Sequence, residues 1–336
     1  MSCRGLTLVE VLVVCGIVAM LAATLLPAVQ AARESARRVS CLNNLRQVGL
    51  AIRGFETARG VFPVGAESRP WPARSKHPHQ FYRWSGLAHA SPFFEAGELI
   101  GGVDLSVPLY GTGFQVMPQN RATVARIVPL FRCPSDARPI VSAGFGPTNY
   151  GLCAGSGAGG GTPFAADWIC FLNSQVRAAD VTDGLSKTVL ASESMLGTGP
   201  LASDDRTAQS SQGSYAFVTE VPLTAGICAA ANSWNYLNQR GFSWANGEYR
   251  CAVYNHALPP NAAEMDCIAN DTSSNEVART LAVWGWRAAR SRHPGGVHVT
   301  FADGAVRFVA DAVDPAVWKA AATRAGGEAT PLPGGQ

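Results

Sequence analysis

The chain has 336 residues, 47% hydrophobic and only 15% charged, which is enough apolar surface for a sizeable core. Its 35 glycines and 21 prolines favour a loop-rich body containing strands over a helical bundle. A net charge of +3 is weak and scattered, and no basic run alternates with aromatics, so nucleic acid is not an expected partner.

Residues 6–29, LTLVEVLVVCGIVAMLAATLLPAV, form a nearly unbroken apolar run, long enough to span a bilayer. One acid, Glu10, sits inside it. A carboxylate at the centre of a membrane helix costs about 2.5–3.5 kcal/mol on insertion scales, so it reads as functional and calls for a partner. Three readings compete. A secretory signal would use the small-residue site at Val29-Gln30-Ala31. A lipoprotein signal would end at Cys15, where Val13 and Val14 are too bulky. Neither has a use for Glu10.

The third reading is a prepilin leader. Arg4-Gly5 followed by Leu6-Thr7-Leu8-Val9-Glu10 resembles the processing site of type IV pilins and type II secretion pseudopilins. The resemblance implies that a prepilin peptidase cuts after Gly5 and methylates Leu6, where phenylalanine is more usual. It makes Glu10 the fifth mature residue and an assembly residue, paired with the amino group of Leu6 in a neighbouring subunit. Pro27 then stands at the family's usual proline position and should kink the helix. The arginines conflict with an exported head. Arg4 alone precedes the span, whereas Arg33, Arg37 and Arg38 follow it, which by the positive-inside rule favours a cytoplasmic C-terminal part.

Past residue 29 the chain becomes polar but keeps a helical period in Val39, Leu42, Leu45, Val48, Ile52 and Phe55. One continuous helix from Leu6 to Phe55 would be about 75 Å long; two helices broken at Pro27 are the alternative. The expected division is a leader at 1–5, a transmembrane and assembly helix at 6–29, and an amphipathic helix at 30–58. A β-rich head follows at 59–336, with an insertion of loops and short strands at about 201–275.

Several motifs then recur in a fixed order: SCLNNLRQVGLAIRGFE at 40–56, Phe62-Pro63, WSGLAHASPFFEAGELI at 84–100, RCPSD at 132–136, TNYG at 148–151 and DVTDGLSKT at 180–188. SRHPGGVHVTFADGAVRFV at 291–309 closes the series. Together they resemble a large bacterial family of pilin-like proteins of unknown function. Its C-terminal His-x9-Asp-Gly motif falls on His293, Asp303 and Gly304. Lys187 and Ala305 depart from the asparagine and serine common there. The implied fold is α+β and pilin-like: a long N-terminal helix packed on an antiparallel sheet. Because Cys41 and Cys133 lie in family motifs, and an exported head permits bridges, they are the expected disulfide. The remaining cysteines show no Cys-x-x-Cys spacing.

Within the head, alternation predicts a strand at 297–301, a tight two-residue turn at Asp303-Gly304 and a return strand at 306–309. Further strands are expected at 150–153 and 189–192, helices at 86–99, 123–130 and from Asp314 onward, and a flexible glycine loop at 155–161. Candidate chemistry is thin. His293, His298 and Asp303 suggest a metal site only weakly, and a satisfied turn histidine is the preferred reading. His77 and His79 are judged the same way. Asp180 and Asp183 offer oxygens to calcium, without EF-hand spacing. Asn270 opens a glycosylation sequon that means little in a bacterial chain. No metal or cofactor is expected, and no catalytic constellation is visible. The expected role is a filament subunit, with prepilin peptidase, other pilin-like subunits, an assembly platform and the inner membrane as partners. The alternative is a single-pass anchored, exported binding protein that does not polymerise.

Overall fold

The structure, a computed structural model, describes residues 8–73, 78–95, 100–136, 138, 140–164, 167–199, 210–270, 283–328 and 332. Helix α1 (Leu8–Arg59) runs for 52 residues, about 78 Å, with Pro27 inside it. The alternative of two helices divided at Pro27 is not what forms. Residues 8–33 are exposed throughout, and burial begins on the following turns. Cys41, Leu45, Val48, Gly49, Ile52 and Glu56 face the head at helical spacing. Of the expected stripe, Leu45, Val48 and Ile52 are buried and Leu42 and Phe55 half-buried, whereas Val39 is exposed. The docked face is centred on Gly49, whose missing side chain lets the head approach, and that rotates Val39 out of contact.

Two sheets make up the head. Strands β1 (Tyr150–Cys153), β2 (Val189–Glu193), β5 (Val253–Tyr254), β8 (Gly296–Phe301) and β9 (Val306–Ala310) form one, in the order β5-β1-β2-β8-β9. Strands β3 (Tyr215–Val218), β4 (Ser233–Trp234), β6 (Asp266–Asn270) and β7 (Val283–Trp286) form the other, in the order β4-β3-β6-β7. The pilin-like α+β class is as expected, but the sheets are not wholly antiparallel. Leu152 pairs with Val253 and Ala216 with Cys267 in parallel register. Long excursions separate each of these partners in sequence, and a parallel pair needs such a crossover. The region expected as an insertion supplies β3 to β6, so it completes both sheets.

Helix α1 crosses the first sheet over β2 and β8. Its apolar face joins a core that includes Trp84, Phe131, Leu152, Leu190 and Trp244. The second sheet is tied in by Asp266, which is fully buried and accepts from Arg240 at 2.6 Å and from Arg290 at 2.9 Å. A buried carboxylate shared in this way offsets the desolvation of the guanidinium groups around it.

Four local expectations are corrected. Residues 86–99 do not form one helix: a short helix at Gly86–His89, capped by Ser85, gives way to a 3-10 turn at Ser91–Phe93 around Pro92, and 96–99 lie outside the described residues. The helix expected at 123–130 lies instead at Pro118–Val124. Pro118 presets its first turn, and Pro129 forces Val128 into an extended conformation. The glycine run at 155–161 is packed rather than flexible. A Cβ on Gly161 would lie 2.2 Å from the Gly285 carbonyl oxygen of β7. The β8–β9 connection is a three-residue loop, Ala302-Asp303-Gly304. Phe301 N–H donates to Ala305 O at 2.8 Å and Gly304 N–H to Phe301 O at 2.9 Å. Only Gly304, at φ 90°, is left-handed, the pattern of a type I turn closed by a glycine bulge.

Candidate functional site

The junction between α1 and the head holds a buried polar cluster. Glu34 projects from α1 immediately after the wholly exposed segment. His293 follows β7 in a Ser-Arg-His-Pro bend, where its backbone N–H donates to Ser291 Oγ at 3.1 Å. Its ring joins two elements: Nδ1 lies 2.8 Å from Glu34 Oε1, and Nε2 lies 3.2 Å from Glu193 Oε1 on β2. Glu193 is further held by His298 of β8, through the backbone N–H at 2.7 Å and the ring Nδ1 at 3.2 Å. Ser135 donates to Glu34 at 3.0 Å, and Arg37 pairs with Glu34 at 2.8 Å. Beside this cluster Cys41 of α1 is joined to Cys133 by a disulfide, and Cys133 Sγ lies 3.6 Å from His293 Nε2.

Electrostatics within the cluster are consistent with one imidazolium between two carboxylates. Burial works against the ionised form of Glu193, but the hydrogen bonds from His293 and His298 outweigh it and hold its pKa below the ordinary value. Glu34 behaves alike, with His293, Arg37 and Ser135 overcoming its burial. For His293, burial favours the neutral ring, yet Glu193 and Glu34 raise its pKa above the ordinary value.

The other end of the same hairpin meets α1 again. A Cβ on Gly49 would lie 2.6 Å from Thr300 Oγ1 and 3.5 Å from Gly304 Cα. The His-x9-Asp-Gly motif therefore touches the helix at both ends, at Glu34 and about 22 Å further along at Gly49. Asp303 stays at the loop tip, where its Oδ1 accepts the Ala305 N–H at 2.9 Å. So the His293, His298 and Asp303 set is not assembled: the two histidines share Glu193, and Asp303 is elsewhere.

Other sequence candidates are placed as follows. Gly5, Leu6 and His77 lie outside the described residues, as does most of the Asn270 sequon. Glu10 and Pro27 lie on the exposed apolar half of α1. His79 contacts Ser68 Oγ at 3.3 Å. The acids considered for calcium are engaged by protein donors. Asp180 is paired with Arg177 at 2.9 Å. Asp183 accepts the backbone N–H groups of Gly326 at 2.7 Å and Gly327 at 2.9 Å. A second disulfide, Cys228–Cys267, ties the segment before β4 to β6.

Glu34 and Glu193 were not anticipated. Both carried a signal: Glu34 lies seven residues before Cys41, on the same helix face, and Glu193 is an acid directly following the run Val189-Leu-Ala-Ser192.

Away from the helix, a cleft of about 480 Å³ opens between the second sheet and the segments around Phe114 and Phe145, lined by Tyr110, Phe114, Phe145, Phe217, Tyr236 and Arg121. Phe114 and Leu237 at its rim hold left-handed backbone at φ 56° and φ 64°, which is uncommon for such residues.

A long exposed apolar helix clamped to a two-sheet head defines a pilin-like α+β protein. The chain belongs to the family described as "Protein of unknown function (DUF1559)", whose profile matches residues 30–316. No curated protein and no solved structure matches it.

Proposed function

We propose that the chain is a subunit of a type IV pilus-like or type II secretion pseudopilus-like filament, matured by a prepilin peptidase. The observation that carries this reading is the asymmetry of α1. Residues 8–33 are exposed throughout, while the docked half is clamped by hydrogen bonds, a disulfide and an apolar face. An apolar 18-residue window with no buried residue suits a bilayer before assembly and neighbouring helices afterwards. Two disulfides support an oxidising compartment for the head, hence export, against the arginine asymmetry. The role assigned is structural rather than catalytic. Glu10 would pair across subunits with the methylated amino group of Leu6.

Mass spectrometry of the mature amino terminus tests this. The expected species begins at methylated Leu6 and disappears in Gly5→Val. A chain beginning at Ala32, or lipidated at Cys15, would sink the reading. The aromatic cleft favours a second reading, an anchored exported binding protein. Its volume lies within the range of small-molecule sites, about 300–1,000 Å³. Filaments containing the chain would decide for the first, and Glu10→Val subunits that insert and are cut but do not join them would place the acid in assembly.

A further inference from the structure

We infer that Cys41, Cys133, His293 and Glu193 form a redox-gated zinc site, which is available when the Cys41–Cys133 bond is reduced. One ligand atom from each of these four residues lies within 4.8 Å of the others, and all four residues are buried. Their chemistry, two thiolates, an imidazole and a carboxylate, is the set that tetrahedral zinc takes.

Two of the distances match tetrahedral coordination. Zinc–sulfur and zinc–nitrogen bonds of about 2.3 and 2.1 Å at the tetrahedral angle place sulfur and nitrogen about 3.6 Å apart. Cys133 Sγ and His293 Nε2 are 3.6 Å apart. Zinc–nitrogen and zinc–oxygen bonds of about 2.1 and 2.0 Å require about 3.3 Å between those ligands. His293 Nε2 and Glu193 Oε1 are 3.2 Å apart. Two edges of the coordination tetrahedron are thus in place without the metal.

The supporting groups are also in place. A zinc-bound histidine characteristically donates its other ring N–H to a carboxylate, which fixes the tautomer and orientation. His293 Nδ1 faces Glu34 Oε1 at 2.8 Å, leaving Nε2 for the metal. Glu193 is steadied by the His298 backbone N–H at 2.7 Å. The edge between the two sulfurs is held too short by the disulfide. A disulfide has no thiolate to offer, whereas the metal needs sulfurs about 3.8 Å apart. Bond and metal therefore exclude each other.

The exchange balances. A dithiol reductant passes two electrons and two protons to the Cys41–Cys133 bond and becomes a disulfide itself. Two thiols result, and Zn2+ displaces their protons and the Nε2 proton of His293. A disulfide oxidant reverses the steps: it accepts the two electrons with two protons and becomes a dithiol, the Cys41–Cys133 bond re-forms, and Zn2+ leaves. In either state the same two cysteines join α1 to the head, by a covalent bond or through the ion.

Cobalt(II) is the probe, titrated into the full-length chain in detergent with and without prior reduction. The reduced chain should develop the visible bands of tetrahedral cobalt with thiolate ligands, bleached by Zn2+, and the oxidised chain should not. Glu34→Gln should keep the band positions but lower affinity about 10- to 100-fold. Cys41→Ser and His293→Gln should each change or abolish the bands, while Cys228→Ser, at the other disulfide, should leave them unaltered. Zn2+ should also raise the melting temperature of the reduced chain only. A reduced chain without these bands would overturn the inference, as would bands that survive Cys41→Ser or depend on Cys228.

Discussion

Replacing Gly49 by alanine sets two effects of opposite sign against each other. In a helix interior the change gains about 1 kcal/mol of propensity. At this position the new methyl meets Thr300 Oγ1 at 2.6 Å, closer than side chains tolerate. Thr300 is fully buried and β-branched, so its χ1 is stiff, and its hydroxyl donates to Ala305 O at 3.3 Å. Overpacking of this kind costs about 1–3 kcal/mol, and losing the hydroxyl's bond adds about 1 kcal/mol. Gly49→Ala should therefore destabilise the docked state by about 1–3 kcal/mol net. Thr300→Ala removes the obstructing oxygen, and in that background Gly49→Ala should become neutral or stabilising by up to about 1 kcal/mol. Thermal denaturation of the four chains in detergent, followed by near-ultraviolet circular dichroism, closes the double-mutant cycle. A coupling below about 0.5 kcal/mol would refute the close approach of hairpin and helix.

At the loop tip, Gly304→Val should cost about 2–3 kcal/mol and Gly304→Asn about half as much. A Cβ at Gly304 would make only ordinary contacts at 3.9 Å with Arg53 and Leu50, and its left-handed backbone is the main objection, so equal costs in thermal melts would contradict this account. Burial opposes the charge on Glu248, but Arg250 and Arg83 hold its pKa down to about 2. A depressed carboxylate contributes stability that is complete above its unfolded pKa and lost as pH falls through the folded one. Glu248→Gln should thus cost about 3–5 kcal/mol at neutral pH, by leaving two buried guanidinium groups uncompensated, and the penalty should shrink as pH falls from 4.5 towards 2. A pH-independent difference in melting temperature would show that the charge is not what matters. Cys228→Ser opens a loop between residues separated by 39 positions, which the chain-entropy account values at about 4 kcal/mol. Denaturant titration should show a loss of that order, and no loss would mean that the bridge constrains nothing.

Local patterns in the sequence located α1, β1, β2, β8 and β9, because each is set by its own periodicity or by an adjacent turn. Strands β3 to β7 were not legible as sheets. They are short, two of them having two residues each, and their register is set by partners far away, such as Ala216 with Cys267. The hairpin was located correctly but its turn was not. Asp-Gly fits both a two-residue turn and a type I turn with a glycine bulge, and the choice is made by what docks on the tip. The cluster at the helix junction was half visible. Cys41, Cys133 and His293 stood out through family motifs, but Glu34 and Glu193 acquire meaning only when α1 is laid across the first sheet and both meet His293, which is far from either in sequence.

The position of the Cys41–Cys133 bond on a helix gripped over only its second half has a mechanical consequence. Tension pulling on the free end of α1 along its axis would enter the head through the hydrogen bonds of Glu34 and then the covalent bridge, before reaching the packed face from Leu45 to Glu56. Covalent bonds do not rupture under loads that peel apolar surfaces, so the apolar contacts behind the bridge are shielded from shear. Cutting the bridge transfers that load to the groove between Gly49 and the β8–β9 hairpin, and the joint changes from a tether to a slip fit.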